Sequence, residues 1–177
     1  TIQSRGLGDV YKRQVEQVRR HVMWSIRNAT RVLAVSDMTR QEILKQSTRS
    51  FESEDVAIVP NAVRPVFRAA RDGVERLATL RERFGLPERY LLTVGGEMPR
   101  RNYAGLLDAL VPAWHSGDLT VPLVVVGNSN WSESRTAKRL ASEGLSDRAQ
   151  YFSGLSDEDL ASFYAAAALY VCPTVYE

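Results

Sequence analysis

The chain has 177 residues, with 23 Lys and Arg against 21 Asp and Glu, for a net charge of +2. An apolar share of 44% at so small a net charge excludes a polymer-like disordered chain and a strongly basic nucleic-acid binder. A single Cys excludes an intrachain disulfide framework and fits a reducing compartment, and no apolar run nears the roughly 20 residues that span a bilayer.

Residues 4–14 read SRGLGDVYKRQ, which resembles the translation of a transposon-end sequencing adapter. Residues 1–14 are therefore expected to be an adapter-derived extension and are set aside. Without Arg5, Lys12, Arg13 and Asp9 the rest is formally neutral. The far end, ALYVCPTVYE, runs out just after an apolar stretch, so the chain is expected to be a fragment open at both ends.

In chain order, apolar residues at Val15, Val18, Val22, Ile26 and Ala29 predict a helix over 15–30. VLAV predicts a strand over 32–35, and a helix follows from Ser36 to Gln46, capped by Ser36, Asp37 or Thr39. The polar stretch 47–55 reads as a loop, 56–59 as a strand, and 64–73 as a connector. A helix over 74–84 stops at Gly85.

From there strand and helix alternate. Strands are predicted at 90–94, 119–126, 149–152 and 169–172, and helices at 102–110, 132–143 and from the Ser156 cap to about Ala167. The alternation predicts an α/β fold with a parallel sheet, and LLTV, LVVV and LYVC read as strands covered on both faces. Cys172 is accordingly expected in the core. Ligands in such sheets sit beyond the carboxyl ends of the strands, here Gly95-Gly96, Gly127, Gly154 and Pro173-Thr174.

The segment VGGEMPRRN, residues 94–102, concentrates the chemistry. Gly95 and Gly96 let a backbone turn approach a ligand. The next helix offers N–H groups and a partial positive charge, and Arg100 and Arg101 add two permanent cations. Together they would suit a pyrophosphate, whereas an ordinary turn with two solvated arginines is the plain alternative. The glycines do not form GxGxxG, so a dinucleotide fingerprint is not supported. Glu177 could accept hydrogen bonds from sugar hydroxyls or be a simple loop acid. His21 and His115 are far apart with no ligand spacing, so no metal site is expected.

Five ordered segments resemble the GT-B glycosyltransferases of family 4, the retaining glycosyl transferases group 1. They are RVLAVSDMTRQEIL, VAIVPNAV, YLLTVGGEMPRRNYAGLLDAL, LVVVG with the following DRAQYFSGLSDEDLASFYAAAALYVCPT, and the terminal Tyr176-Glu177. The third is similar to the family's Y-L-L-Y-V-G-T-L-E-P-R-K-N-L, and the last to the opening of its E-x7-E motif.

The resemblance implies two Rossmann-like domains facing across a cleft. Residues 15–63 would end the N-terminal acceptor domain, 64–84 would form the connector and first helix, and 85–177 would be part of the C-terminal nucleotide-sugar-binding domain. It further implies that Arg101 contacts the donor diphosphate with Arg100 assisting, and that Gly95 and Gly96 allow close approach. Gly127 and Gly154 would mark nucleotide-binding loops, and Glu177 would hold donor-sugar hydroxyls.

The implied reaction moves a sugar from a nucleotide sugar to a carbohydrate or lipid-linked acceptor, with retention and without a metal or other cofactor. The implied location is cytoplasmic, with peripheral contact at the inner face of the membrane. No nucleic acid is expected as a partner. Three departures stand out: Arg101 for the usual Lys, Ala62 for the usual Gly of P-N-G-V, and Gly96 where many members carry Arg. The catalytic residue is expected outside this stretch, so the chain alone is expected to be inactive. The competing readings are a non-catalytic nucleotide-binding module and a GT-B nucleotide-sugar epimerase, which would need a His and acid/base carboxylates in the cleft.

Overall fold

The computed structural model describes residues 3–46, 53–68, 74–127 and 130–175. The chain forms two compact units, Thr1–Ala62 and Val63–Tyr176.

In the first unit, helix α1 spans Gln3–Asn28, β1 spans Val32–Ala34, α2 spans Asp37–Gln46 and β2 spans Val56–Ile58. Helix α1 starts well before the predicted residue 15 and takes in the adapter-like segment without a break. Strands β1 and β2 pair in parallel with Val32 opposite Val56, and bury Ala34 and Val56. Ser36 is the cap of α2, because its Oγ accepts the Thr39 N–H at 3.2 Å. The Arg40 guanidinium then reaches back, Nε donating to Val56 O at 3.0 Å, which ties the helix to the strand.

In the second unit the predicted connector holds a short helix, α3, Pro65–Arg68. It is pinned rather than loose: Arg64 grips both carboxylate oxygens of Asp157, and Phe67 meets the Tyr164 ring edge-on at 6.1 Å. Helix α4, Val74–Phe84, ends as predicted at Gly85, whose φ of 63° needs no Cβ.

The remaining elements are β3 Leu91–Val94, α5 Tyr103–Ser116, β4 Leu123–Val126, α6 Arg135–Ser142, β5 Ala149–Phe152, α7 Asp157–Ala166 and β6 Leu169–Tyr170. The four strands form one all-parallel sheet in the order β5-β4-β3-β6, the α/β architecture that the alternation predicts.

Strand β4 lies inside the sheet and all four of its residues are buried. Alternation sends Leu123 and Val125 to one face, where Leu106, Leu107, Leu110 and Trp114 of α5 and Leu140 of α6 cover them. Val124 and Val126 face Leu80 of α4 and Phe163 of α7 on the other side. Each such burial contributes on the order of 1.5–3 kcal/mol. The second face also buries Tyr90, which donates to Phe163 O at 2.8 Å and so leaves no unpaired hydroxyl.

Several boundaries differ from the sequence expectation, each for a local reason. Strand β4 begins at Leu123 rather than 119, since Pro122 has no N–H for the ladder; its carbonyl instead accepts Leu91 N at 2.9 Å. Helix α5 runs past residue 110 and through Pro112, because Val111 and Trp114 are core residues and Trp114 Nε1 donates to Val121 O at 3.0 Å. Packing there outweighs the proline penalty. Residues 131–133 form a 3-10 turn, and α6 starts only after the Ser134 cap.

The expectation that LYVC is buried on both faces is wrong. Strand β6 is an edge strand among the described residues, with Leu169 59% exposed. Cys172 is exposed rather than part of the core, and its Sγ lies 3.3 Å from Thr174 Oγ1. No helix among the described residues is long and apolar enough to cross a membrane.

Candidate functional site

The carboxyl edge of the sheet has a switch point at β3. The chain leaves β3 for β4 on one side, while β6 lies against its other side. A crevice opens where connections diverge in this way. The loop after β3 and the segment after β6 meet there, Val175 N donating to Arg100 O at 3.1 Å.

Gly95 begins that loop, with its N–H on Val126 O at 2.7 Å and a φ of 130°. A Cβ at Gly95 would stand 3.2 Å from Arg101 Cζ, so the missing side chain lets the guanidinium fold back against the turn. The Gly95 carbonyl accepts the Tyr103 hydroxyl at 2.9 Å. Gly127 presses on the same carbonyl from β4: a Cβ there would lie 2.8 Å from Gly95 O. The Gly127 N–H is held by Phe152 O at 2.9 Å.

Of the predicted site residues, the structure therefore brings Gly95, Gly127 and Arg101 into contact. Gly96 and Arg100 belong to the same loop; a Cβ at Gly96 would meet open space, and Arg100 is exposed. Gly154, with φ 67°, sits apart after β5 and also faces open space. Glu177 lies outside the described residues. Among the described residues no three His, Cys, Asp or Glu side chains gather as metal ligands do.

The charge of Arg101 acts on two tyrosine hydroxyls, those of Tyr103 and Tyr164. Burial pushes the Tyr103 phenol above its ordinary value, while a hydrogen bond with Thr93 and the positive Arg101 pull it partly back. Tyr164 is likewise raised by burial and lowered by its bond with Tyr170 and by Arg101. Both rings stay protonated near neutral pH, so Tyr103 is a standing donor to the Gly95 carbonyl.

The sequence reading missed Glu97, Asn102, Tyr103 and Gly105. Asn102 is left-handed, with φ 51°, and its side chain accepts the Gly105 N–H at 3.2 Å. A Cβ at Gly105 would stand 2.6 Å from Asn102 Nδ2, so this glycine makes room for the cap. One of the helix N–H groups expected to face a ligand is thus already bonded within the chain.

Glu97 does the same for α6 from a distance. Its Oε2 accepts Arg135 N at 2.8 Å, its Oε1 accepts Thr136 N at 2.7 Å, and Oε1 also takes the Thr136 hydroxyl. Ser134 Oγ caps the Ala137 N–H at 3.0 Å. The α6 N-terminus therefore holds an anion that the protein itself supplies. The partners are 38 and 39 residues apart, and no local spacing announces such a bond. Asn102 was more legible, as a polar residue directly before a helix.

Residues 88–177 match the family described as glycosyl transferases group 1, and the chain belongs to that family. It is 29% identical over 153 residues to the serotype-specific mannosyltransferase WbdA of Escherichia coli, covering 84% of this chain and 18% of that protein. The fold is that of a glycosyltransferase from Rickettsia africae, with a TM-score of 0.67 at 18% identity, covering 82% of this chain and 38% of that one. It is also that of the Anabaena protein HepE, solved in complex with UDP and glucose, with a TM-score of 0.65 at 18% identity over 86% of this chain and 40% of that one. These neighbours place the α/β architecture in the GT-B class. The chain spans well under half the length of these proteins.

Proposed function

We propose that this chain is the donor-binding part of a retaining glycosyltransferase that moves a sugar, mannose in the first instance, from a nucleoside diphosphate to an acceptor hydroxyl. The observation that carries the reading is Arg101 folded against Gly95 at the carboxyl end of β3, where the loop joins the segment after β6. Family membership, the UDP and glucose of the HepE complex and the mannosyltransferase name of WbdA support it.

In the transfer, the bond from the anomeric carbon to the diphosphate oxygen breaks, the acceptor oxygen bonds to that carbon, and the acceptor proton passes to the departing diphosphate. Charge grows on the leaving diphosphate. Arg100 and Arg101 meet it with permanent positive charge and forked donors, and Gly96 leaves room for the phosphate to approach the backbone. The arginines do this without a metal ion. Gly154 and Glu177 are assigned to the nucleotide loop and the donor sugar, as the family resemblance implies.

Calorimetric titration of the chain with UDP and GDP tests the site. Arg101→Ala should weaken the tighter-binding nucleotide about tenfold or more, as expected for losing a charged, forked phosphate contact, and EDTA should leave the affinity unchanged. Equal binding by the unaltered and Ala chains would sink the assignment. The transfer itself is read on the protein extended to the length of its relatives, with nucleotide sugars as donors and the product's anomeric configuration followed by NMR.

A further inference from the structure

We infer that Glu97 is a positioning residue for the diphosphate site, an inference that rests on the reading of Arg100 and Arg101 given above. Glu97 lies between the two parts of that site, after Gly95-Gly96 and before Arg100-Arg101. Its carboxylate is anchored outside the loop, on Arg135 N, Thr136 N and the Thr136 hydroxyl at the start of α6. Thr136 is 2% exposed and Ser134 7%, so the anchor belongs to the packed body of the unit rather than to a mobile surface.

The loop is consequently held at several places, among them the bond from Val175 N to Arg100 O at 3.1 Å and the Tyr103 hydroxyl on Gly95 O. Gly95 is tied to β4 through Val126 O, Glu97 is tied to α6, and residues 98–102 close on themselves through Arg101 N to Met98 O at 2.9 Å and Asn102 N to Pro99 O at 3.2 Å. Removing the Glu97 tie leaves residues 96–98 closed on themselves by Met98 N to Gly96 O at 2.9 Å, but without their bonds to α6. The cost of ordering Arg100 and Arg101 would then fall on the binding step. The carboxylate also fits this anchor in shape: it offers two acceptor oxygens to two N–H groups.

A carboxamide cannot replace it. With Gln at this position, one N–H of α6 would face an oxygen and the other an NH2 group, donor against donor. The shorter Asp keeps the charge and loses reach.

The test is a double-mutant cycle read by titration with UDP, GDP and inorganic pyrophosphate, on the unaltered chain, Glu97→Gln, Arg101→Ala and the double variant. Glu97→Gln is expected to weaken diphosphate binding about tenfold in the unaltered background and by less than twofold once Arg101 is gone. Glu97→Asp should fall between, and it alone decides the matter if Glu97→Gln does not fold. Equal losses from Glu97→Gln in both backgrounds would mean that the anchor serves the fold only, and would overturn the inference. Unaltered affinity in Glu97→Gln or in folded Glu97→Asp would overturn it too, while leaving the Arg101 site standing if Arg101→Ala still binds weakly. If the unaltered chain bound none of the three probes, or Arg101→Ala bound as well as the unaltered chain, the reading beneath it would fail first and the inference with it.

Discussion

Gly127→Ala should damage both the sheet edge and the site. An added Cβ would stand 2.8 Å from Gly95 O and 3.3 Å from Gly95 C. Ordinary contact needs several tenths of an ångström more, and the neighbour is backbone rather than a side-chain tip. Gly95 has little freedom to retreat, since its N–H is on Val126 O at 2.7 Å and its carbonyl receives Tyr103 Oη at 2.9 Å. Gly127 is fixed in turn by Phe152 O at 2.9 Å. Overpacking of this kind costs about 1–3 kcal/mol, and displacing Gly95 would weaken the tyrosine bond, worth about 1 kcal/mol. The expected loss is about 2–3 kcal/mol by urea titration, with UDP or GDP bound about tenfold more weakly because Arg101 packs on the displaced residue. Gly127 does not have a left-handed φ, so the variant tests space and not backbone strain. Gly96→Ala is the control, with nothing within 4 Å of its Cβ and no positive φ; stability should stay within about 0.5 kcal/mol. A Gly127→Ala chain as stable as the unaltered one and binding equally well would refute the reasoning.

Two further outcomes follow from the packing. Tyr90 is fully buried and its phenol is pushed up from 10.0 to about 12 by desolvation, with Arg81 pulling slightly the other way. The folded state therefore keeps a proton that the unfolded chain releases: the contribution of Tyr90 is intact below pH 10 and is lost from about 10 to 12, on the order of 2–3 kcal/mol. Tyr90→Phe should lose about 1 kcal/mol at pH 8 with the bond to Phe163 O, yet decline less between pH 9 and 11; parallel declines in urea titrations would count against it. Gly105→Ala in helix α5 should bring none of the roughly 1 kcal/mol that an interior glycine-to-alanine change normally gives, because its Cβ would meet Asn102 Nδ2 at 2.6 Å. In an Asn102→Ala background the same change should stabilise by about that amount, and identical effects in the two backgrounds would contradict the cap.

The strands of the second unit were legible because continuous apolar runs between glycines admit few other readings. LVVV is buried at every position, and Gly95 and Gly127 sit at the strand ends where the alternation puts them. The edge was not legible. LYVC, like LVVV, is an unbroken run of residues often found buried, and its place beside β3 alone, among the described residues, exposes Leu169 and Cys172. Helix α5 outran its predicted end at residue 110 for a related reason, since Pro112 disfavours a helix locally but the burial of Trp114 carries it on. At the candidate site, the nearness of Arg101 to Gly95 was readable from the sequence. Glu97 was not, because its role is a contact with residues in another βα turn.

That contact bears on why arginines carry the proposed phosphate site. In a doubly wound sheet each helix N-terminus at the carboxyl edge is a potential anion site. Here α5 is capped by Asn102, α6 by Glu97 and Ser134, and α7 by Ser156, whose Oγ accepts Asp159 N at 3.0 Å. Helix α7 also opens with Asp157, Glu158 and Asp159, of which Asp157 pairs with Arg64 and Asp159 with Arg83. Groups of the chain thus already satisfy first-turn N–H donors on all three helices. Side-chain cations add to the donors that remain at this edge, and Arg100 and Arg101 stand with Gly95 and Gly96 at the switch point itself. On that reading Glu97, Asn102 and the arginines are parts of one arrangement: Glu97 and Asn102 each satisfy helix N–H groups from the loop, and the same loop presents the charge.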